Sequence, residues 1–472
     1  MDRFIRLTVL GSFIGIFITG CSTTTSHSAG QTQSVNSSPS MIGQQNNAAK
    51  KSLIAVTLQQ WRRDLGLANT SSNAIDNKTK AQLIKETNEF IIIQAKKANR
   101  SPTLLTADIS LTQLSHYVDN LFPRFNQVTK LRSMMQYYRT LVNHAWPPLA
   151  EGSYSLGQRN KAIEDLRTRL TILGDLAPSS SSKYRQGIFD PKLIEGVKLF
   201  QQRHGIDNTG ELNKITIAQL NKTPLMRLAL MQKNLWRWLQ LPKQLPSDYL
   251  WVNLPEYSLK LYEQQQLMIN MPVIVGKPKS KTPVMTTKLT HLTINPTWTP
   301  PFSIIRDELL PLHHKQPSYL KYQAFKLHKG SAESIPIPNT TSSQLKSLLK
   351  DYRLVQAPGP KNALGKFKFT IPNQQAIYLH DTPAKHLFAK KQRALSHGCI
   401  RLKDAANLSR YILAKDKPQN SERFDVTKRP RVTRTHRLTK PLAVFITYHT
   451  SWVDAQGTLQ FRPDIYQLDA GV

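Results

Sequence analysis

Apolar residues recur every three or four positions through the first half of the chain and every second position beyond it, and this change of period divides the molecule. Ile54, Leu58, Trp61 and Leu65 share one helical face, and Leu111, Leu114, Tyr117, Val118 and Leu121 form a second stripe. Residues 53–150 therefore read as a helical scaffold, and no chemistry-bearing motif lies within them. Residues 154–223 predict three shorter helices. Ile163, Leu166, Leu170 and Leu173 line the first, which stops at Gly174. Asp190 is placed to cap the second, with Pro191 at its first position, a buried stripe of Leu193, Val197 and Phe200, and Gly205 as its stop. Thr216 and Leu220 lie on the third, and a connecting helix follows over 226–245.

From residue 247 the period shortens to two. Leu250, Val252, Leu254, Leu259, Leu261, Leu267, Ile269, Val273 and Val275 alternate in short runs broken by Pro255, Asn270 and Pro272, which predicts β-strands. Strand-like runs continue at 292–294, 366–370 and 376–380. Residues 302–362 interrupt them with helical and proline-rich pieces, and an insertion of that length is usually functional. The basic stretch 428–440 reads as a solvated linker or face ahead of a strand at 442–448. Residues 426–472 are thus expected to be an extension packing on the strand-rich or the scaffold domain.

The segment from Ser22 to about Lys50 is almost all Ser, Thr, Asn, Gln and Gly, too polar to bury a core, so 21–52 reads as a disordered tether. A coil of 29 residues spans about 30 Å root-mean-square. Ahead of it, Arg3 and Arg6 precede an apolar run over 7–18, the pattern of an export signal and too short for a confident membrane span. The run closes with Ile18-Thr19-Gly20-Cys21, which resembles the lipobox of bacterial lipoproteins. That resemblance implies cleavage of 1–20, a lipid on Cys21, and a periplasmic protein held at the envelope membrane. Ser22 favours the outer membrane in a Gram-negative cell.

Composition sharpens this picture in two ways. The chain of 472 residues holds only two cysteines, Cys21 and Cys399, so lipidation of the first leaves the second as one free thiol in an oxidising compartment, a candidate nucleophile. Its 64 Lys and Arg against 30 Asp and Glu give a net charge of +34, a field that attracts acidic polymers. Nucleic acid is disfavoured as a partner by the export signal and by the lack of a basic helix or stacking motif. The charge leaves oligomeric state open.

The chemistry concentrates in Tyr378-Leu379-His380-Asp381-Thr382-Pro383 and Ser396-His397-Gly398-Cys399-Ile400-Arg401-Leu402. Acyl transfer by cysteine needs a thiolate, an imidazole to carry its proton, and donors for the oxyanion. An imidazolium beside the sulfur would lower the thiol pKa. Gly398 lets backbone approach a substrate, and the amides around Cys399 are candidate oxyanion donors. His313, His314, His328 and His386 have no partners at metal-ligand spacing, so neither a metal nor another cofactor is expected.

These residues resemble the L,D-transpeptidase family, whose motif is a His, about fifteen residues, then Ser/Thr-His-Gly-Cys; here 381–395 intervene. The likeness extends to Gly365-Lys366-Phe367-Lys368-Phe369, Pro372-Asn373 and Asn295-Pro296-Thr297-Trp298. Phe189-Asp190, the run 197–205, Thr209-Gly210 and Thr216 to Asn221 resemble the three-helix peptidoglycan-binding domain. Together they imply an α+β multidomain protein: a helical scaffold, a peptidoglycan-binding domain, and a β-sandwich-like catalytic domain over 247–425 with a capping insertion.

Carried over, Cys399 is the nucleophile and His380 the base, oriented by a backbone carbonyl rather than by Asp381. Gly398, Ser396 and His397 support the site and the oxyanion, while Arg401, Tyr378 and Trp298 bind substrate. The implied reaction joins peptidoglycan stem peptides by 3-3 cross-links, releasing D-Ala through a thioester, and carbapenems acylate such cysteines. Water as acceptor would make an L,D-carboxypeptidase, and a lysine of an envelope protein an anchoring enzyme. A non-enzymatic peptidoglycan-binding lipoprotein is the alternative of another class. A papain-like protease is disfavoured because its His lies downstream of Cys.

Overall fold

The computed structural model describes residues 39–67, 78–123, 125–152, 154–178, 187–330, 333–416 and 431–470. Cys21 and the expected signal segment lie outside them. Residues from Lys50 onward form one compact unit. The expected tether is corrected at its end: helix α1, Pro39–Asp64, already covers 39–52. Ala48, Ala49, Lys50 and Lys51 are strong helix formers that continue directly into the amphipathic run, and the polar composition concealed this.

Helices α2 (Lys80–Lys97), α3 (Leu111–Leu121) and α4 (Asn126–Leu141) complete the expected scaffold. Thr79 with Gln82, and Ser110 with Gln113, form capping boxes that fix the starts of α2 and α3. Trp61 stacks on Phe122 at 4.1 Å in their shared core. The second bundle holds α5 (Lys161–Ile172), α6 (Pro191–Arg203) and α7 (Lys214–Leu220) around their own core. Asp190 caps α6 through the Leu193 amide with Pro191 in the first turn, and Gly205 follows with φ +65°.

Helix α8, Pro224–Trp238, is more than the expected connector. Leu228, Met231, Leu235 and Trp238 repeat at helical spacing and are buried in the scaffold core. Isolated from its neighbours, such a stripe reads only as amphipathic; the face it covers is not written in it.

The β-rich part is a ring. Strands β1 (Tyr249–Asn253), β2 (Ser258–Glu263), β3 (Gln266–Gly276) and β4 (Met285–Ile294) precede the insertion. After it come β8 (Phe367–Thr370), β9 (Tyr378–His380), β10 (Ala394–Ser396), β11 (Ile400–Leu402), helix α9 (Ala405–Asp416) and β12 (Arg434–Thr447). The strand order is β10-β3-β11-β9-β8-β4-β12-β1-β2, and β2 also pairs with β3. The first half of β3 bonds β2 and its end bonds β11 and β10, so the sheet closes on itself around one apolar core.

β12 corrects two expectations. It runs parallel to β1 and antiparallel to β4 between them, so 426–472 supplies an integral strand rather than an appendage. It also starts at Arg434 inside the basic stretch, because His436 and Leu438 face inward while Thr435, Arg437, Thr439 and Lys440 face out. The register shifts between Arg437 and Leu442, around Pro441, which cannot donate to a ladder. The hairpin β13 (Ser451–Val453) and β14 (Leu459–Phe461) then packs into the scaffold core. The extension therefore touches both domains.

The insertion is a small body with its own core: short helices including Ser342–Leu348, and a sheet of order β6-β5-β7 from β5 (Phe325–Lys329), β6 (Glu333–Pro336) and β7 (Arg353–Gln356).

Candidate active site

Three adjacent strands bring the site together by register alone. Lys368 on β8 faces His380 on β9, which faces Arg401 on β11, and Thr370 faces Tyr378 in the next row. Phe367, Phe369, Leu379, Ile400 and Leu402 alternate into the core, so Lys368, Tyr378, His380 and Arg401 share the outer face. Cys399 lies immediately before β11 and joins them: the Tyr378 hydroxyl and main-chain N–H both bond its sulfur.

His380 is buried, and its Nδ1 donates to the Asp381 carbonyl at 2.5 Å. A carbonyl only accepts, so Nδ1 carries the proton and Nε2 keeps the lone pair. The Asp381 carboxylate is turned elsewhere, accepting from the Lys366 amide at 2.9 Å and from Lys385 Nζ at 2.5 Å. Gly365 stands against that carboxylate with φ +60°, where a Cβ would collide with it.

Electrostatics correct one expectation. Burial, reinforced by the nearby Arg401 charge, drives the His380 pKa down to about 3. Burial also pushes the Cys399 thiol up, against the pull of the Tyr378 hydrogen bonds and the Lys368 and Arg401 charges. The resting pair is thus a neutral thiol and a neutral imidazole, not a thiolate and an imidazolium. The thiol contacts the Ala376 carbonyl at 3.9 Å. Asn373 fixes that turn, donating to the Ile371 and Ile377 carbonyls at 2.7 Å each and accepting from the Gln375 and Ile377 amides at 3.0 Å.

Ser396 and Gly398 brace the turn that carries Cys399. The Ser396 hydroxyl accepts from the Gly398 amide at 3.1 Å and donates to the Cys399 carbonyl at 2.5 Å. The Gly398 amide is therefore engaged within the turn, and its φ of +119° is the strained value that makes glycine necessary there. His397 turns outward to Glu308 of the insertion, Nε2 to Oε1 at 2.8 Å, clasping the cap over the site. Trp298 hydrogen-bonds the Tyr378 hydroxyl and stands 6.0 Å from Phe325 of the insertion. The Arg401 Nε is buried with no hydrogen-bond partner among the described residues.

Sequence reasoning assigned no role to Lys368, Thr282, Tyr448 or Tyr466. Lys368 lay within a quoted motif, and its alternation with Phe367 and Phe369 was the available signal. Thr282 donates to the Gly398 carbonyl at 2.6 Å and accepts from the Gly276 amide at 2.9 Å. Tyr466 donates to the Gly276 carbonyl at 2.7 Å and accepts from the Thr282 amide at 3.2 Å, and its own amide donates to the Tyr448 hydroxyl at 2.7 Å. The turn that carries Cys399 thus rests on residues far away in sequence. Thr282→Val leaves two buried main-chain groups unpaired, with an expected loss of about 1–3 kcal/mol. A lowered denaturation midpoint is the measurement; an unchanged one would show that Thr282 is dispensable.

Two further buried histidines behave like His380. Arg227 donates to His204 Nε2 at 2.7 Å while Nδ1 donates to the Phe200 carbonyl at 2.7 Å, which pins the neutral ring. Burial lowers the pKa of His204, and takes that of His449 to about 3. Unfolded histidines gain protons as pH falls through about 6.5, whereas these three do not, so stability is present above that pH and declines below it. The unfolding free energy should drop between pH 7 and 5 by up to about 1.4 kcal/mol per unit for each histidine. Denaturant titrations at the two values measure it, and a midpoint that holds or rises contradicts it.

Comparison with known proteins bears on this arrangement. Residues 247–424 match the L,D-transpeptidase catalytic domain, and 159–220 match the domain described as "Putative peptidoglycan binding domain". A protein described as "Putative L,D-transpeptidase" from Haemophilus influenzae is 33% identical over 220 residues, 47% of this chain and 44% of that one. The chain thus spans less than half the length of that relative. An L,D-transpeptidase from Stackebrandtia nassauensis is 14% identical, covering 64% of this chain and 97% of its own, with a TM-score of 0.23. One from Mycobacterium smegmatis is 13% identical, covering 42% and 58%, with a TM-score of 0.19. Superpositions at those scores bear no weight. The chain thus carries a segment that matches the L,D-transpeptidase catalytic domain, with the motif residues inside it, behind a segment that matches a peptidoglycan binding domain.

Proposed function

We propose that this protein cross-links peptidoglycan by acyl transfer through Cys399. The observation that carries the reading is the shared face of Cys399, His380, Tyr378 and Arg401 under an insertion clasped by His397 and Glu308. The thiol attacks the carbonyl of the third residue of a tetrapeptide stem, and its proton passes to Nε2 of His380. Tyr378, already bonded to the sulfur, is positioned to donate to the developing oxyanion. Arg401, a half-buried cation on the same face, suits a stem carboxylate. Collapse breaks the peptide bond, the departing D-Ala amine takes the proton, and a thioester remains. The side-chain amine of a second stem attacks it, forms the new amide and frees the thiol, giving a 3-3 cross-link.

A second stem peptide is favoured over water or a protein lysine as acceptor because a peptidoglycan-binding domain accompanies the catalytic one. Lipid attachment at Cys21 and an envelope location rest on the lipobox-like sequence. Incubation of purified tetrapeptide muropeptides with the protein should yield cross-linked dimers and free D-Ala by mass spectrometry. Tripeptide without dimer would replace this reading with a carboxypeptidase, and no change in mass would end it.

A further inference from the structure

The face that carries Cys399 holds one more cation than the reaction described above uses. Lys368 is half-buried on β8 opposite His380, and its Nζ stands 4.5 Å from the centroid of the Tyr378 ring. That ring has a cation at its face and the thiol at its hydroxyl. A cation resting on a phenol ring is only weakly held. Lys368 makes no hydrogen bond and no ion pair among the described residues, and neither does Arg401 on the other side of His380. The carboxylates bordering this face are engaged elsewhere, Asp381 with Lys385 and Glu308 with His397. His380, between the two cations, is neutral. The face thus presents two positive charges without a counter-ion, and charges partly withdrawn from water are costly until they are matched.

The two cations differ in their surroundings. Burial lowers the Lys368 pKa, opposed by the charge of the Cys399 sulfur. Cys399 in turn feels Lys368 more than Arg401, whereas Arg401 also feels Glu308 of the insertion. Lys368 is therefore the cation that bears most on the reacting sulfur. A donor stem offers it one well-placed anion. The residue that leaves carries its carboxylate on the carbon bonded to the scissile nitrogen, so this carboxylate lies nearer the attacked carbonyl than any other on the stem. A flexible ammonium with three donors can follow it as the nitrogen departs.

We infer that Lys368 is a specificity residue for the donor stem, its ammonium pairing with the terminal carboxylate of the departing D-Ala while Arg401 takes a carboxylate of the retained part. The role rests on the cross-linking reading above and adds a selection to it. Only a stem whose scissile bond lies one residue from a free C-terminus brings that carboxylate to Lys368. A longer or amidated stem leaves the cation unmatched.

The test gives the full chain two donors, a disaccharide tetrapeptide ending in D-Ala and the same compound ending in D-alaninamide, and follows release of the terminal residue by mass spectrometry. The wild type should favour the free acid by about 10- to 100-fold in kcat/KM, the worth of a hydrogen bond between charged groups. Lys368→Met should bring that ratio to within about threefold, and Lys368→Arg should restore part of it. Arg401→Met should slow both donors and keep the ratio. A Lys368 that only braced the Tyr378 ring would, when replaced, slow both donors alike and leave the ratio standing. A wild type indifferent to amidation, a ratio kept in Lys368→Met, or a ratio lost in Arg401→Met instead overturns the inference. The first of these needs no variant, so it decides even if Lys368→Met misfolds. Release of neither residue by the wild type is a separate result, which ends the cross-linking reading and this inference with it.

Discussion

Cys399→Ala is expected to abolish dimer formation and D-Ala release from tetrapeptide muropeptides, a loss of at least about 10⁴-fold, with thermal unfolding unchanged. The thiol is half-buried and its polar contacts are with Tyr378 and, at 3.9 Å, the Ala376 carbonyl, so its removal takes away the reacting atom and little packing. His380→Ala should cost about 10²–10⁴-fold at pH 7, the usual worth of a positioned base. The two variants separate by pH. In the wild type the neutral thiol and neutral imidazole persist from well above the His380 value of about 3 up to the raised thiol pKa, so carbapenem acylation should be nearly flat from about pH 5.5 to 8.5. In His380→Ala only free thiolate reacts, and the rate should climb about tenfold per pH unit. A wild-type profile that climbs in the same way would remove His380 from the role of base. Product masses that persist in Cys399→Ala would remove the nucleophile itself.

The largest expected effect on stability lies outside the site. Asp175 and Arg203 form two parallel bonds of 2.5 Å, with side chains only 4% and 6% exposed. Asp175→Ala strands a buried guanidinium, at an expected cost of about 3–5 kcal/mol. Burial raises the Asp175 pKa against the pull of the Arg203 and Arg227 charges. Arg203 also donates to the Leu459 carbonyl at 3.4 Å, which carries the damage to the hairpin β13–β14. Replacing both residues by apolar ones of similar size should recover most of the loss, because the cost comes from the unpaired charge. Denaturant unfolding of the single and double variants measures both. A single variant as stable as the wild type would show that water reaches the pair.

Much of this was legible because it is local. Alternation placed Tyr378 and His380 on one face, and the caps at Asp190 and the spacing of Leu193, Val197 and Phe200 marked α6 to within a residue. What stayed hidden depends on partners distant in sequence. The basic stretch looked solvated because Thr435, Arg437, Thr439 and Lys440 face out, while the two that face in, His436 and Leu438, are too few to signal a strand. The thiol's charge state was misjudged for a related reason. Adjacency to an imidazole can be counted along the chain, but the burial that neutralises both groups cannot. His397 bears on the insertion rather than the sulfur through Glu308, a residue 89 positions away that no motif connects to it.

The place of β12 has a consequence for how the molecule is made. The ring needs this strand between β4 and β1, yet it emerges from synthesis after every other strand of the ring. Until then β1 and β4 present raw edges, and neither Tyr448 nor Tyr466 is there to prop the turn that carries the thiol. Loop closure over so long a separation is slow. A growing chain is therefore chemically quiet: the Cys399 turn is set only when the barrel shuts.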